Sequence, residues 1–203
     1  MVVFDATMML LTFRPNGKAP PDPETGLPVT HVESRISALI AQLEKQNVKI
    51  ILPTPALSEL LVDAGASAQS LIFHIRKSPT FFIEPFDIRA AIEVALMTRK
   101  AKDAGDKRSG VDAPWAKVKY DRQIIAIAKV NRATAIYSDD EHIHTHGKAA
   151  KIEIIRLADL PIPIEELVVQ KKLNFSEIKE IPFETEGSLN QEILEYEEEQ
   201  KTE

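Results

Sequence analysis

Four acidic residues occupy contexts where carboxylates could act together. Asp5 directly follows the apolar run VVF, Glu59 lies inside ALSELL, Asp121 opens DRQIIAIA, and Asp140 lies in YSDDEHIHTHGK. A carboxylate set among apolar residues loses hydration and has to be compensated. Converging carboxylates also repel, and some of them stay protonated. A divalent cation removes the conflict, and hard oxygen donors suit Mg2+ or Mn2+. Such a centre can position a phosphodiester, lower the pKa of an attacking water and stabilise the leaving oxygen.

Plainer readings stand beside this one. Asp121, at an expected helix start, reads alone as a cap, and Glu59 alone as a solvated helix residue. Asp5 shows no cap role in the sequence. Spacing would bring His142 and His146 together on a helix turn, but no third zinc ligand is evident and H-E-x-x-H does not occur. We therefore read His142, His144 and His146 as local polar residues behind the aspartates, with a phosphate or RNA contact as a secondary role. A D-x-D phosphatase fails because position 7 is Thr. Gly105 and Gly110 are spaced as in a phosphate loop, but Val111 and Asp112 follow where Lys and Ser/Thr are needed.

The elements expected to position these acids alternate in type. Apolar runs at 2–4, 48–54, 81–86, 134–138 and 151–157 read as strands. Helices are expected at about 31–46 capped by Thr30, at 54–65 opened by Thr54 and Pro55, through ASAQSLIFHIRKS, at 87–105 capped by Asp87, and at 120–133. EHIHTHGKAA reads as a short helix or loop. Residues 14–28, with five of the thirteen prolines, and residues 106–119 read as loops. Helices separating strands imply an α/β domain with a mainly parallel five-stranded sheet covered on both faces. In such sheets function collects at the carboxyl ends of strands, where Asp5 and Asp139–Asp140 fall.

The chain of 203 residues allows one ordinary domain, expected over 1–161, plus an acidic extension over 162–203, expected to be partly helical or disordered. That extension holds 12 Glu and 4 Lys, which leaves the body slightly basic despite a total charge of −6. Overall acidity therefore does not argue against a nucleic-acid partner. The absence of Cys excludes disulfide scaffolds, thiolate zinc sites and a Cys nucleophile. No apolar run reaches the roughly 18 residues of a membrane span. The start MVVFDATMMLLTF lacks the features of a secretion signal, so a cytoplasmic protein with no membrane partner is expected.

Taken in order, VVFDATMML, PTPALSELL, YDRQIIAIAKV and YSDD resemble the motifs of the PIN-domain ribonucleases, including the VapC-type toxins of toxin–antitoxin pairs. The resemblance covers roughly residues 1–160. It implies a three-layer α/β/α fold and an acidic quartet of Asp5, Glu59, Asp121 and Asp140 holding Mg2+ or Mn2+. Ser138 and Asp139 would support the quartet, with Asp140 favoured over Asp139 as the residue facing the metal. It implies metal-dependent hydrolysis of RNA, leaving a 5′-phosphate and a 3′-hydroxyl. A cognate antitoxin and a homodimer follow by the same resemblance. Arg99, Lys100, Lys102, Lys107, Arg108, Lys117, Lys119 and Arg122 are candidate RNA contacts, and Trp115 could stack on a base. The bland reading makes these basic residues a solvated face and packs Trp115 on the body. The rival function is a catalytically inactive PIN fold that serves as a binding or scaffold protein. The proline-rich stretch after the first strand and the acidic tail depart from a compact PIN toxin.

Overall fold

Short β-branched runs build the centre of the molecule. The computed structural model describes residues 1–14 and 17–164, so the expectations for the acidic extension lie outside the described residues. Strands β1 (Val2–Phe4), β2 (Ile50–Pro53) and β4 (Ala135–Tyr137) are buried along their whole length, as expected for strands covered on both faces. The half-buried β3 (Phe81–Glu84) and β5 (Glu153–Ile155) form the edges. The sheet order is β3-β2-β1-β4-β5, and every pairing is parallel.

The order of connections sets the layers. From β1 the chain passes through α1 (Ala6–Phe13) and α2 (Val32–Lys45) to β2, then through α3 (Thr54–Ala64) and α4 (Ala68–Lys77) to β3. It then runs through α5 (Ile88–Asp103) and α6 (Trp115–Val130) to β4, on the other side of β1, and through α7 (Glu141–Ala150) to β5. Right-handed crossovers running in opposite directions from β1 put the two helix groups on opposite faces. The result is a three-layer α/β/α fold of PIN type, with its switch of direction between β1 and β4. The core gathers Val3, Phe4, Met8, Ile51, Ile125, Ile127 and Ile136, all fully buried. Phe4 packs edge-on against Phe81 and Tyr137 across three strands.

Several local expectations are corrected. Helix α1 was not foreseen, because ATMMLLTF is apolar almost throughout and offers no polar face to mark a helical period. Thr30 does not cap α2; His31 holds that position in the left-handed region at φ 56. Pro53, not Thr54, precedes α3, and the Thr54 hydroxyl accepts from the Phe86 N–H at 3.1 Å. Asp87 does cap α5, accepting from the Ala90 N–H at 2.9 Å. Helix α6 begins at Trp115 instead of near 120, and EHIHTHGKAA is a helix. The face of α5 that carries Ile88, Ile92 and Leu96 looks outward, and Ala90 and Ala101 take the buried positions.

Helix α7 approaches β5 closely at Gly147, where a Cβ would run into the Ile154 side chain. Gly147→Ala is expected to destabilise the fold by about 1–3 kcal/mol through overpacking. Urea denaturation would measure it, with the helical circular dichroism of the folded state retained.

Candidate metal centre

The junction of β1 with α1 places Asp5. Its N–H donates to the Tyr137 carbonyl at 3.2 Å, and its Oδ1 accepts from the Met8 N–H at 2.8 Å. Asp5 is thus the cap of α1, a role the sequence did not reveal. Its Oδ2 accepts a short hydrogen bond from the Ser138 hydroxyl. The same hydroxyl oxygen accepts from the Asp140 N–H at 3.1 Å, so Ser138 ties Asp5 to Asp140.

Asp140 caps α7. Its Oδ1 accepts from the N–H groups of His142 at 2.8 Å and Ile143 at 3.4 Å. Its Oδ2 accepts from the Lys117 ammonium at 2.6 Å. Asp139 turns elsewhere, and its Oδ1 accepts from the Leu157 N–H at 3.2 Å, beyond β5.

Asp121 lies in the second turn of α6 and is no cap, contrary to the structural reading of that residue. It is only 3% exposed. Lys117, one turn earlier, stands 3.7 Å from its Oδ1. His142 brings Nδ1 to 3.7 Å from Asp140 Oδ1. One donor atom each from Asp121, Asp140 and His142 falls within a mutual 4.8 Å. Glu59 is exposed on α3, near enough for its charge to act on both Asp121 and Lys117.

Electrostatics follow from burial. Burial pushes the Asp5 carboxyl up to about 7, against the stabilising Met8 and Ser138 hydrogen bonds. Burial likewise pushes Asp121 up to about 6; Lys117 opposes this, and Asp140 and Glu59 add repulsion. Burial also works against ionised Asp140, but Lys117 and the His142 and Ile143 N–H groups outweigh it and hold its carboxyl low. For Lys117, burial opposes the charge, while Asp140, Asp121 and Glu59 prevail and raise its pKa.

Among the described residues, Asp121 Oδ2, Asp139 Oδ2, His142 Nδ1 and His146 Nε2 are buried with no hydrogen-bond partner, and Asp121 and His142 belong to the group with Asp140. Two orphaned donor atoms beside an ionised carboxylate fit a divalent cation. Of the quartet, the structure brings Asp121 and Asp140 into this group, links Asp5 to it through Ser138, and leaves Glu59 at the rim. His142 was not foreseen as a member. Its only sequence signal is its place two residues after Asp140 on a short helix. The inward reach of Lys117 was also missed, although its spacing of four from Asp121 marks a helical pair.

The basic candidates divide. Arg99, Lys100, Lys102, Lys107, Arg108 and Lys119 are exposed. Arg122 is corrected: it is 1% exposed and cannot present itself to RNA. Its guanidinium donates to Thr98 Oγ1 at 3.0 Å, the Lys107 carbonyl at 2.7 Å and Ser109 Oγ at 3.1 Å. Trp115 is no loop residue. It opens α6, packs on Val111, Ala113 and Val118, and has the Lys107 ammonium 3.8 Å from its ring centroid. His144 Nε2 pairs with the Ser138 carbonyl at 2.9 Å, and burial, then Arg122, pushes buried His146 down to about 4. Among the described residues, no helix is long and apolar enough to cross a membrane.

No family model matches the chain, and no curated protein matches it. Among solved structures, it is similar to a chain in the crystal structure of VapBC2 from Rickettsia felis bound to a DNA fragment from their promoter. The TM-score is 0.51 at 11% identity, over 77% of this chain and 98% of that one. At that identity the likeness is one of fold, in agreement with the PIN-type architecture.

A carboxyl whose pKa rises on folding makes the native state take up protons between 3.8 and about 7, the values for Asp5 before and after burial. The contribution of Asp5 to the stability of the metal-free protein is therefore expected to fall as pH rises through that window and to level off above it. Denaturant melts of wild type and Asp5→Asn in chelator across the window test this, and a wild-type stability that climbs relative to Asp5→Asn there would refute it.

Proposed function

We propose that this protein is a metal-dependent ribonuclease of PIN type. The observation that carries the reading is the convergence of Asp121, Asp140 and His142, with Asp121 Oδ2 and His142 Nδ1 buried and unpartnered. These three residues would hold the ion. The imidazole moves the preference from Mg2+ towards a first-row transition ion, of which Mn2+ also accepts carboxylates readily. A cation there supplies Lewis acidity, lowering the pKa of a water and offsetting charge on a phosphodiester.

The chain's own groups supply the remainder. Asp5, through Ser138, fixes the start of α7 and hence the orientation of Asp140. Glu59, exposed at the rim, is available to accept a proton from an attacking water. The exposed Arg99, Lys102, Arg108 and Lys119 offer countercharge for an RNA backbone. A toxin role with a cognate antitoxin belongs to the same proposal, supported by the fold shared with VapBC2. The exposed Ile88, Ile92 and Leu96 on α5 support an association surface for a homodimer.

The rival reading, a catalytically inactive binding module, has one observation in its favour. Lys117 supplies countercharge to Asp140 and Asp121 without any metal. A cleavage assay separates the two. A structured RNA pool should be cut in Mn2+ or Mg2+ and spared in chelator. Asp121→Asn and Asp140→Asn should each lower the rate by roughly a hundredfold or more, and Asp5→Asn should also impair it. Metal-independent cleavage, or full activity in Asp121→Asn, refutes the reading. No cleavage and no metal binding would favour the binding module.

A further inference from the structure

One cation already stands among the acids. The Lys117 ammonium donates to Asp140 Oδ2 at 2.6 Å and lies 3.7 Å from Asp121 Oδ1. The other oxygen of Asp140, Oδ1, is committed to the N–H groups of His142 and Ile143 at the start of α7. The less encumbered Asp140 oxygen for a metal is therefore Oδ2, the one Lys117 holds. Lys117 is an incomplete occupant, since Asp121 Oδ2 and His142 Nδ1 remain without partners while it is there. Two cations sharing one carboxylate oxygen would repel at contact distance, beside the buried Asp121. Lys117 has an exit, because its side chain is 40% exposed. It can swing outward on its flexible stem while α6 stays in place.

We propose that Lys117 is the resident counter-cation of this cluster, and that a divalent ion loads by displacing it from Asp140 Oδ2. Lys117 thereby sets the metal concentration at which the site fills. Before loading, it keeps the two aspartates from repelling each other. This inference rests on the metal reading above and adds that loading is an exchange of one cation for another.

Calorimetric titration of Mn2+ into the full chain tests it, with Lys117→Met as the variant and Lys119→Met as the control. Methionine keeps an unbranched stem of similar reach and removes the charge. Losing a charge-assisted competitor should tighten Mn2+ binding of Lys117→Met by roughly ten- to a hundredfold, with Lys119→Met unchanged. In chelator, Lys117→Met should melt below the wild type, and Mn2+ should raise its Tm more than it raises that of the wild type. Lys117→Gln, held to the same comparison, guards against a packing defect of the Met variant. If both Lys117 variants bind Mn2+ no more tightly than the wild type, the exchange is wrong and the metal reading stands. If none of the proteins binds Mn2+, the metal reading fails and the exchange falls with it.

Discussion

The pairing of β1 with β4 is the contact on which the site depends. Phe4 lies opposite Tyr137, so the residues that leave the two strands emerge side by side. Asp5 and Ser138 are those residues, and their hydrogen bond joins segments 133 positions apart. This is where successive crossovers diverge in direction, so the helices part and leave the strand ends open. A slip of one residue in this register would separate Ser138 from Asp5. Ile136 and Phe4, both fully buried, anchor the two strands whose ends carry the acids.

Once gathered, the acids face a charge problem that the fold only half solves. Backbone N–H groups satisfy Asp5 Oδ1 and Asp140 Oδ1, because each carboxylate caps a helix. Capping uses one oxygen of each residue and leaves the other for different work. Asp5 spends its second oxygen on Ser138, which makes it a positioning residue. Asp140 points its second oxygen to Lys117, and Asp121, with no cap role, keeps one oxygen without any partner. The unpartnered buried atoms of Asp121 and His142, beside the Asp140 carboxylate, are the feature on which the metal proposal rests.

The likeness in fold to a structure of 11% identity shows that the backbone arrangement tolerates wide replacement of side chains. What the strand order demands is short apolar strands joined through helices. Chemistry is a separate matter, carried by a few side chains at one end of the sheet. In this chain Lys117 and His142 stand beside the acids at that end.

The sequence by itself determined the strands, because VVF, KIILP and AIY are too short and too apolar for any surface helix. It also pointed to Asp5, Asp121 and Asp140 through their positions beside apolar runs, where a charge has to be explained. Tertiary structure alone decided their roles. Asp5 could not be recognised as a cap, since α1 carries no polar face to announce a helix. Asp121 could not be placed in a second turn until Pro114 fixed the start of α6 ahead of it. Arg122 resembled its exposed basic neighbours in composition, yet a helix turns about 100° per residue, so it is buried on another side of α6 from Asp121, against Thr98, Lys107 and Ser109. His142 and Lys117 joined the acids because α6 and α7 pack together at the end of β4, a contact between distant segments that local pattern does not encode.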